Sequence, residues 1–229
     1  MDLAWLPGFL QTNDALFPTG AYAHSLGFEE LVRLETVRDE ATLRAFLFGQ
    51  ILPAQEHQEL PYLRFAWEAA GRGELEALCA LDREVAAWKL ARETRAASVQ
   101  IGRRRLKALR VISEAALPAD YEGRIGAGAA HGHHLIVWAV QAAAEGIPLE
   151  PALAAWLYQS LAAVGGAALK LVRIGQDACQ RAVRAAAAES PRVLEGSRRI
   201  ERAQAGWFNP LLEIASLRHA RAEERLFIS

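Results

Sequence analysis

Apolar residues recur along this chain at intervals of three and four, the spacing of a buried helical face. In residues 39–52, Leu43, Phe46, Leu47 and Ile51 fall on one side. Pro53 and Pro61 punctuate the path, which resumes in PYLRFAWEAAGRG. The Gly-Arg-Gly at 71–73 stops one helix before the next begins. Residues 74–90 align Leu75, Leu78, Leu81, Val85 and Trp88, and residues 92–112 continue the period with a strong basic excess. LPADYEGRIGAG, residues 117–128, is the richest turn segment and predicts a break. Beyond it the pattern predicts helices over 130–145, from Pro148–Pro151 into the 170s, and over 175–204. Gly206 and Pro210 bracket a further break before the tail. No sustained alternation reads as a strand, and no repeat or linker divides the chain. The expectation is one all-α domain over residues 1–229, a helical bundle.

One segment raises a membrane question. PALAAWLYQSLAAVGGAAL, residues 151–169, carries no charge and approaches spanning length. It also holds Pro151, Gln159, Ser160, Gly165 and Gly166, and charges follow at Lys170 and Arg173. A central helix covered on several sides is the expectation, with Ala162, Gly165 and Gly166 permitting close backbone approach.

Composition narrows the class. Of 229 residues, 52% are hydrophobic, which argues against disorder, and a net charge of −1 argues against a dedicated nucleic-acid binder. Cys79 and Cys179 are far apart and sit in apolar helical contexts. Buried reduced thiols, and with them a reducing cytosol, are expected. The N-terminus has an acid at Asp2 and no basic region, so it does not read as a signal peptide.

Three stretches could carry chemistry. LFPTGAYAHSLGFEEL, residues 16–31, gathers Tyr22, His24, Ser25 and Glu29 behind a turn set by Pro18 and Gly20. Neighbouring helical residues point about 100° apart, so His24 is poorly placed to serve Ser25 as a base. HGHH, residues 131–134, would put His131 and His134 on one helical face, two ligands of an incomplete metal set. The rival reading is a metal-dependent hydrolase using that pair with a remote carboxylate. RRRLKALR, residues 103–110, spreads Arg103, Arg104, Arg105, Lys107 and Arg110 around a helix. A solvated basic face is expected there, then a docking patch for an acidic surface.

The end of the chain is apolar where most ends are polar. Leu226, Phe227 and Ile228 lie in the last four residues. Full burial of each is worth about 1.5–3 kcal/mol, so the tail docks on its own domain or on a partner.

Four stretches together resemble the urease accessory protein family UreF. FPTGAYAHSLGFEE is similar to its N-terminal signature, and TRAASVQIGRRRLKAL to its Arg-x-x-Ser…Gly-Arg segment. LVRIGQDACQ is similar to a Pro-Leu-Gly-Gln-x-x-x-Gln segment, and NPLLEIASLRHARAEERLFIS to the Ser-x-Arg-His…Arg-Leu-Phe-x-Ser ending. Departures stand at Arg173, Ile174, Ala178 and Ala220. The resemblance implies a non-enzymatic homodimer of the cytoplasm, without a cofactor or bound metal of its own. It implies partners too: UreD/UreH, the nickel-carrying GTPase UreG and, through the complex, the urease apoprotein. Neither nucleic acid nor membrane is implied. The partner-binding set expected is Pro18, Gly20, Tyr22, His24, Ser25, Glu29, Arg218, His219, Arg225, Leu226, Phe227 and Ser229. Residues 210–229 are expected to be poorly ordered until a partner binds, after which Arg225 contacts Tyr22.

Overall fold

Helix follows helix from Leu6 to His219, and no strand occurs among the described residues. The computed structural model describes residues 3–25, 27–222 and 224–228. In chain order the helices are α1 (Leu6–Asn13), α2 (Phe28–Arg33), α3 (Glu40–Phe46), α4 (Leu52–Ala54), α5 (Leu60–Gly71), α6 (Leu75–Trp88) and α7 (Arg92–Ile112). They continue with α8 (Ala116–Gly126), α9 (His134–Ala144), α10 (Leu149–Leu171), α11 (Gln176–Ala187), α12 (Ser190–Arg198) and α13 (Pro210–His219). The chain divides into two compact units. One comprises Met1–Ala21, Tyr62–Leu90 and Arg95–Ala155; the other comprises Tyr22–Pro61, Ala91–Thr94 and Trp156–Ser229.

In the first unit α9 is the central element, with every residue from Leu135 to Ala142 buried. Helices α6 and α8 pack against it. Trp138 meets the edge of Phe9 from α1 at 5.9 Å, and Trp67 Nε1 donates to the Ile147 carbonyl at 3.0 Å. The turn segment at 117–128 is helical, contrary to the sequence pattern. Pro118 falls in the first turn of α8, where a missing N–H costs nothing, and Gly126 falls at its end. Burial of Tyr121 then ties the helix down.

HGHH is not a helical face either. Residues 131–133 form a loop, and only His134 begins α9. Asp82 of α6, fully buried, accepts the backbone N–H groups of His131, Gly132 and His133. Ser98 Oγ of α7 accepts the His134 N–H at 3.3 Å and meets His133 Nδ1 at 3.1 Å. Gly102 is where α7 crosses this loop: a Cβ there would strike the Gly132 carbonyl.

The basic helix departs from the expected solvated face at one position. Arg105 is buried, with its guanidinium 4.5 Å from the Trp138 ring centroid and 5.3 Å from that of Phe17. It donates to Gln141 Oε1 at 2.6 Å and to Asn13 Oδ1 at 3.4 Å. Burial lowers its pKa to about 9, against the opposing pull of Glu145.

The second unit buries Phe28, Leu31, Leu43, Phe46, Leu47 and Leu161. Asp39 starts α3 with a reciprocal cap: its carboxylate accepts the Thr42 N–H at 2.8 Å, and Thr42 Oγ1 accepts the Asp39 N–H at 3.0 Å. Two wide π-helical turns, Leu47–Ile51 and Gln55–Glu59, flank α4, so the chain passes Pro53 without leaving a helical course. The segment at 175–204 is two helices rather than one. Pro191 sits in the first turn of α12, where it cannot continue α11. Gly165 brings α10 close to α11, since a Cβ there would lie 2.8 Å from Val183 Cγ2.

Helix α10 is long and apolar enough to cross a membrane by length and composition. Its Leu153, Leu157, Leu161 and Ala168 are buried within the protein, while Tyr158 and Leu169 are exposed. It reads as the core helix the sequence pattern predicts.

Candidate partner-binding site

The N-terminal motif and the C-terminal tail meet in the second unit. Gly27 makes the meeting possible. Its φ is +89°, in the region that suits glycine, and it forms the start of α2. A Cβ there would lie 2.5 Å from Ser216 Oγ and 3.0 Å from the Ser216 backbone nitrogen. So α13 rides directly over the start of α2. Ser25 supports the same turn: its carbonyl accepts the Phe28 N–H at 3.1 Å and its Oγ accepts the Glu29 N–H at 3.4 Å. This is a capping role for Ser25, which needs no nucleophile.

Glu29 and His219 then form the centre of the site. His219, with 1% of its side chain exposed, has Nε2 3.0 Å from Glu29 Oε2 and Nδ1 3.1 Å from Glu93 Oε2. Each ring nitrogen thus has a carboxylate oxygen within hydrogen-bond reach. Glu29 Oε1 accepts the Leu226 N–H at 2.7 Å, and Oε2 accepts the Phe227 N–H at 3.0 Å. Arg225 Nη1 donates to Glu93 Oε1 at 2.9 Å, and the Ile228 N–H donates to the Ala23 carbonyl at 2.9 Å. Burial opposes the charge on Glu29. The hydrogen bonds from Leu226, His219 and Phe227 outweigh it and hold the carboxyl below the ordinary glutamate range.

The backbone grip fixes which tail side chains face inward. Phe227 is 6% exposed and lies 5.1 Å from Lys170 Nζ, whereas Leu226 and Ile228 are 64% and 60% exposed. The tail therefore anchors one aromatic ring and displays two large aliphatic side chains. Along α13, Leu211, Ile214 and Leu217 are exposed at helical spacing beside Phe208. Clustered exposed apolar groups of this kind mark interaction surfaces.

The expected set is thus partly gathered. Glu29, His219, Arg225, Leu226 and Phe227 come together with Ser25 beneath them. His24 is buried, and Arg218 lines a separate surface concavity with Arg33 and Arg221. Pro18 and Gly20 belong to the first unit, and Ser229 lies outside the described residues. Arg225 pairs with Glu93 and Tyr22 is 75% exposed; the expected Arg225–Tyr22 contact belongs to the partner-bound chain. Nor is the tail without structure of its own, since α13 is capped by the Asn209 side chain and its Ala215, Ser216 and His219 are buried. Sequence reasoning missed Glu93, whose position at the start of α7 gives no local sign of a partner 132 residues away.

The His131/His134 alternative finds less support. His131 stands in the loop and only His134 opens α9, so the helical face that the pair was to share is not formed. Among the described residues no three His, Cys, Asp or Glu side chains are grouped to hold a metal.

Comparison with known proteins agrees with the motifs. A protein-family model described as UreF matches residues 37–187. A urease accessory protein UreF of Arthrobacter sp. (strain FB24) is 35% identical over 224 residues, covering 96% of this chain and 95% of that relative. The one from Paenarthrobacter aurescens (strain TC1) is 34% identical over 219 residues, 96% of each chain. The one from Bacillus sp. (strain TB-90) is 30% identical over 227 residues, 98% of this chain and 99% of that relative. The family model covers well over half of the chain and these relatives match nearly all of it: the chain belongs to the UreF family.

Proposed function

We propose that this UreF-family chain is a non-catalytic adaptor in urease maturation. It binds the accessory protein UreD/UreH through the C-terminal site and recruits the GTPase UreG, whose GTP hydrolysis it modulates as nickel is delivered to the urease apoprotein. It works as a homodimer in the cytoplasm. The observation that supports this reading is the tail: an end anchored by its backbone on Glu29 leaves Leu226 and Ile228 in water. Covering them on a partner recovers about 1.5–3 kcal/mol each.

The test is co-expression of the full chain with UreD/UreH and UreG, followed by size exclusion with light scattering. A stable complex is expected, and Leu226→Asp with Ile228→Asp should abolish UreD/UreH co-purification while the helical spectrum persists. Survival of the complex in that double variant would overturn the reading. Deleting 210–229 is the poorer experiment, because it also removes the buried face of α13.

A further inference from the structure

The basic stretch of α7 and the Leu-Phe-Pro segment of the N-terminal motif have a second use in the first unit. Between α1 and the C-terminal half of α7 lies an open groove of about 650 Å³. Its walls are Leu10, Leu16, Phe17, Pro18, Val111 and Ile112. Leu16 and Val111 are 91% and 83% exposed, so these are large apolar groups left in water. A groove of this size and apolar lining is a binding cleft in form.

Charge at the rim says what fits it. Arg103 donates to the His131 carbonyl, Arg105 is buried on Gln141, and Arg110 pairs with Glu122 at 3.4 Å. Arg104 and Lys107 remain exposed and without an ion pair among the described residues. They stand one helical turn before the lining residues Ala108 and Val111, at the spacing that shares a helix face. Gly20 keeps Arg104 at this rim, because a Cβ at Gly20 would strike the Arg104 guanidinium. Asp14, the carboxylate in the lining, accepts the Leu16 N–H of its own loop at 2.8 Å.

We infer that this groove docks an acidic amphipathic segment of a partner protein, its apolar side chains between Leu16 and Val111 and its carboxylates on Arg104 and Lys107. Two helix walls form a concave slot, which accepts a single segment and not a bilayer surface. The apolar lining offers nothing to a nucleic-acid backbone. The groove belongs to the first unit and the C-terminal tail to the second.

The probe is a designed 18-residue labelled helical peptide with leucine on one face and glutamate on the flank, set against a lysine-flanked counterpart. Fluorescence anisotropy with the full chain reads the affinities. The acidic peptide is expected to bind at least tenfold more tightly at low salt. Arg104→Glu with Lys107→Glu should invert the preference, and Val111→Asp should weaken acidic-peptide binding at least tenfold with an unchanged melting temperature. Equal binding of both peptides, or indifference to Val111→Asp, overturns the inference. So does Val111→Asp turning a dimer into a monomer in light scattering, which names a second copy as occupant. Sedimentation with anionic lipid vesicles that Val111→Asp abolishes overturns it in favour of a membrane.

Discussion

Glu29 and His219 lie 190 residues apart in sequence and 3.0 Å apart in space. Each side chain needs the other. The carboxylate keeps its charge through the hydrogen bonds donated to it, and the ring holds two carboxylates at once, joining α2, the first turn of α7 and α13. The tail backbone closes on this pair, which makes the pair the determinant of whether the tail is docked.

Substituting Glu29→Gln keeps the shape and removes the charge. A carboxamide offers one acceptor oxygen where two N–H groups and an imidazole require acceptors. Hydrogen bonds to a charged group are worth about 1.5–3 kcal/mol. Amide exchange at Leu226, Phe227 and Ile228 is expected to speed up at least tenfold, with helical content retained. Unchanged protection at these three amides would show that the tail is held by other means.

Acid should act on two places in two pH windows. His133 falls to about 4 because burial penalises its cation; the Asp82 charge opposes that, while Lys89, His131 and Arg95 add to it. Its folded value lies below its unfolded value, so the neutral ring is compatible with folding and stability is lost as pH drops from 6.5 toward 4. The loss is at most about 3–4 kcal/mol. Glu29 is also depressed, so its contribution is complete above about 4.5 and disappears as pH falls through its lower folded value. Global melting temperature should therefore decline first, and tail-amide protection only below about 4.5. His133→Asn should reduce the first decline, to which the buried His134 also contributes, and Glu29→Gln should flatten the second.

Gly27→Ala meets two penalties. A left-handed residue with a Cβ costs about 1–2 kcal/mol, and the added methyl collides with Ser216. A fall in melting temperature of several degrees is expected, with Ser216→Ala restoring only part of it, since backbone atoms of Ser216 also lie within 3.2 Å. Full rescue by Ser216→Ala would assign the whole effect to the hydroxyl.

Arg105→Lys is not conservative here. The guanidinium is planar, lies between Phe17 and Trp138, and reaches both Gln141 and Asn13. A lysine ammonium is more strongly hydrated and cannot make the same fork. The variant should lose about 1–3 kcal/mol, the cost of leaving buried polar groups unpaired, and shift the fluorescence of Trp138. A melt and spectrum identical to the parent would show that charge alone matters.

Much of the fold is legible in the pattern because helices declare their buried faces locally. The stripe from Leu43 to Leu47, the full run of α7 and the long apolar α10 are present as read. What is not legible depends on long-range partners. Pro118 and Gly126 look like turn residues, yet both positions tolerate them at the ends of α8. Pro191 divides a polar run that has no other sign of a break. HGHH looks helical until Asp82, 49 residues upstream of His131, claims the loop's N–H groups. Arg105 looks like one of several surface cations, and only the fold places aromatic rings on both sides of it. In the candidate site, the apolar ending signals that the tail docks somewhere, and Glu29 is among the residues expected to matter. Glu93 is invisible, because an acidic residue in a first helical turn is explained equally well by the helix dipole.

The grip on the tail is made with main-chain N–H groups, which every residue except proline carries. Anchoring is thus separated from identity. Leu226 and Ile228 can be exchanged for other residues while Glu29 holds the same backbone, so the last residues work as an interchangeable tip. Under the proposed function, redirecting the chain toward a different partner would take a new pair of outward side chains and no change to the clasp.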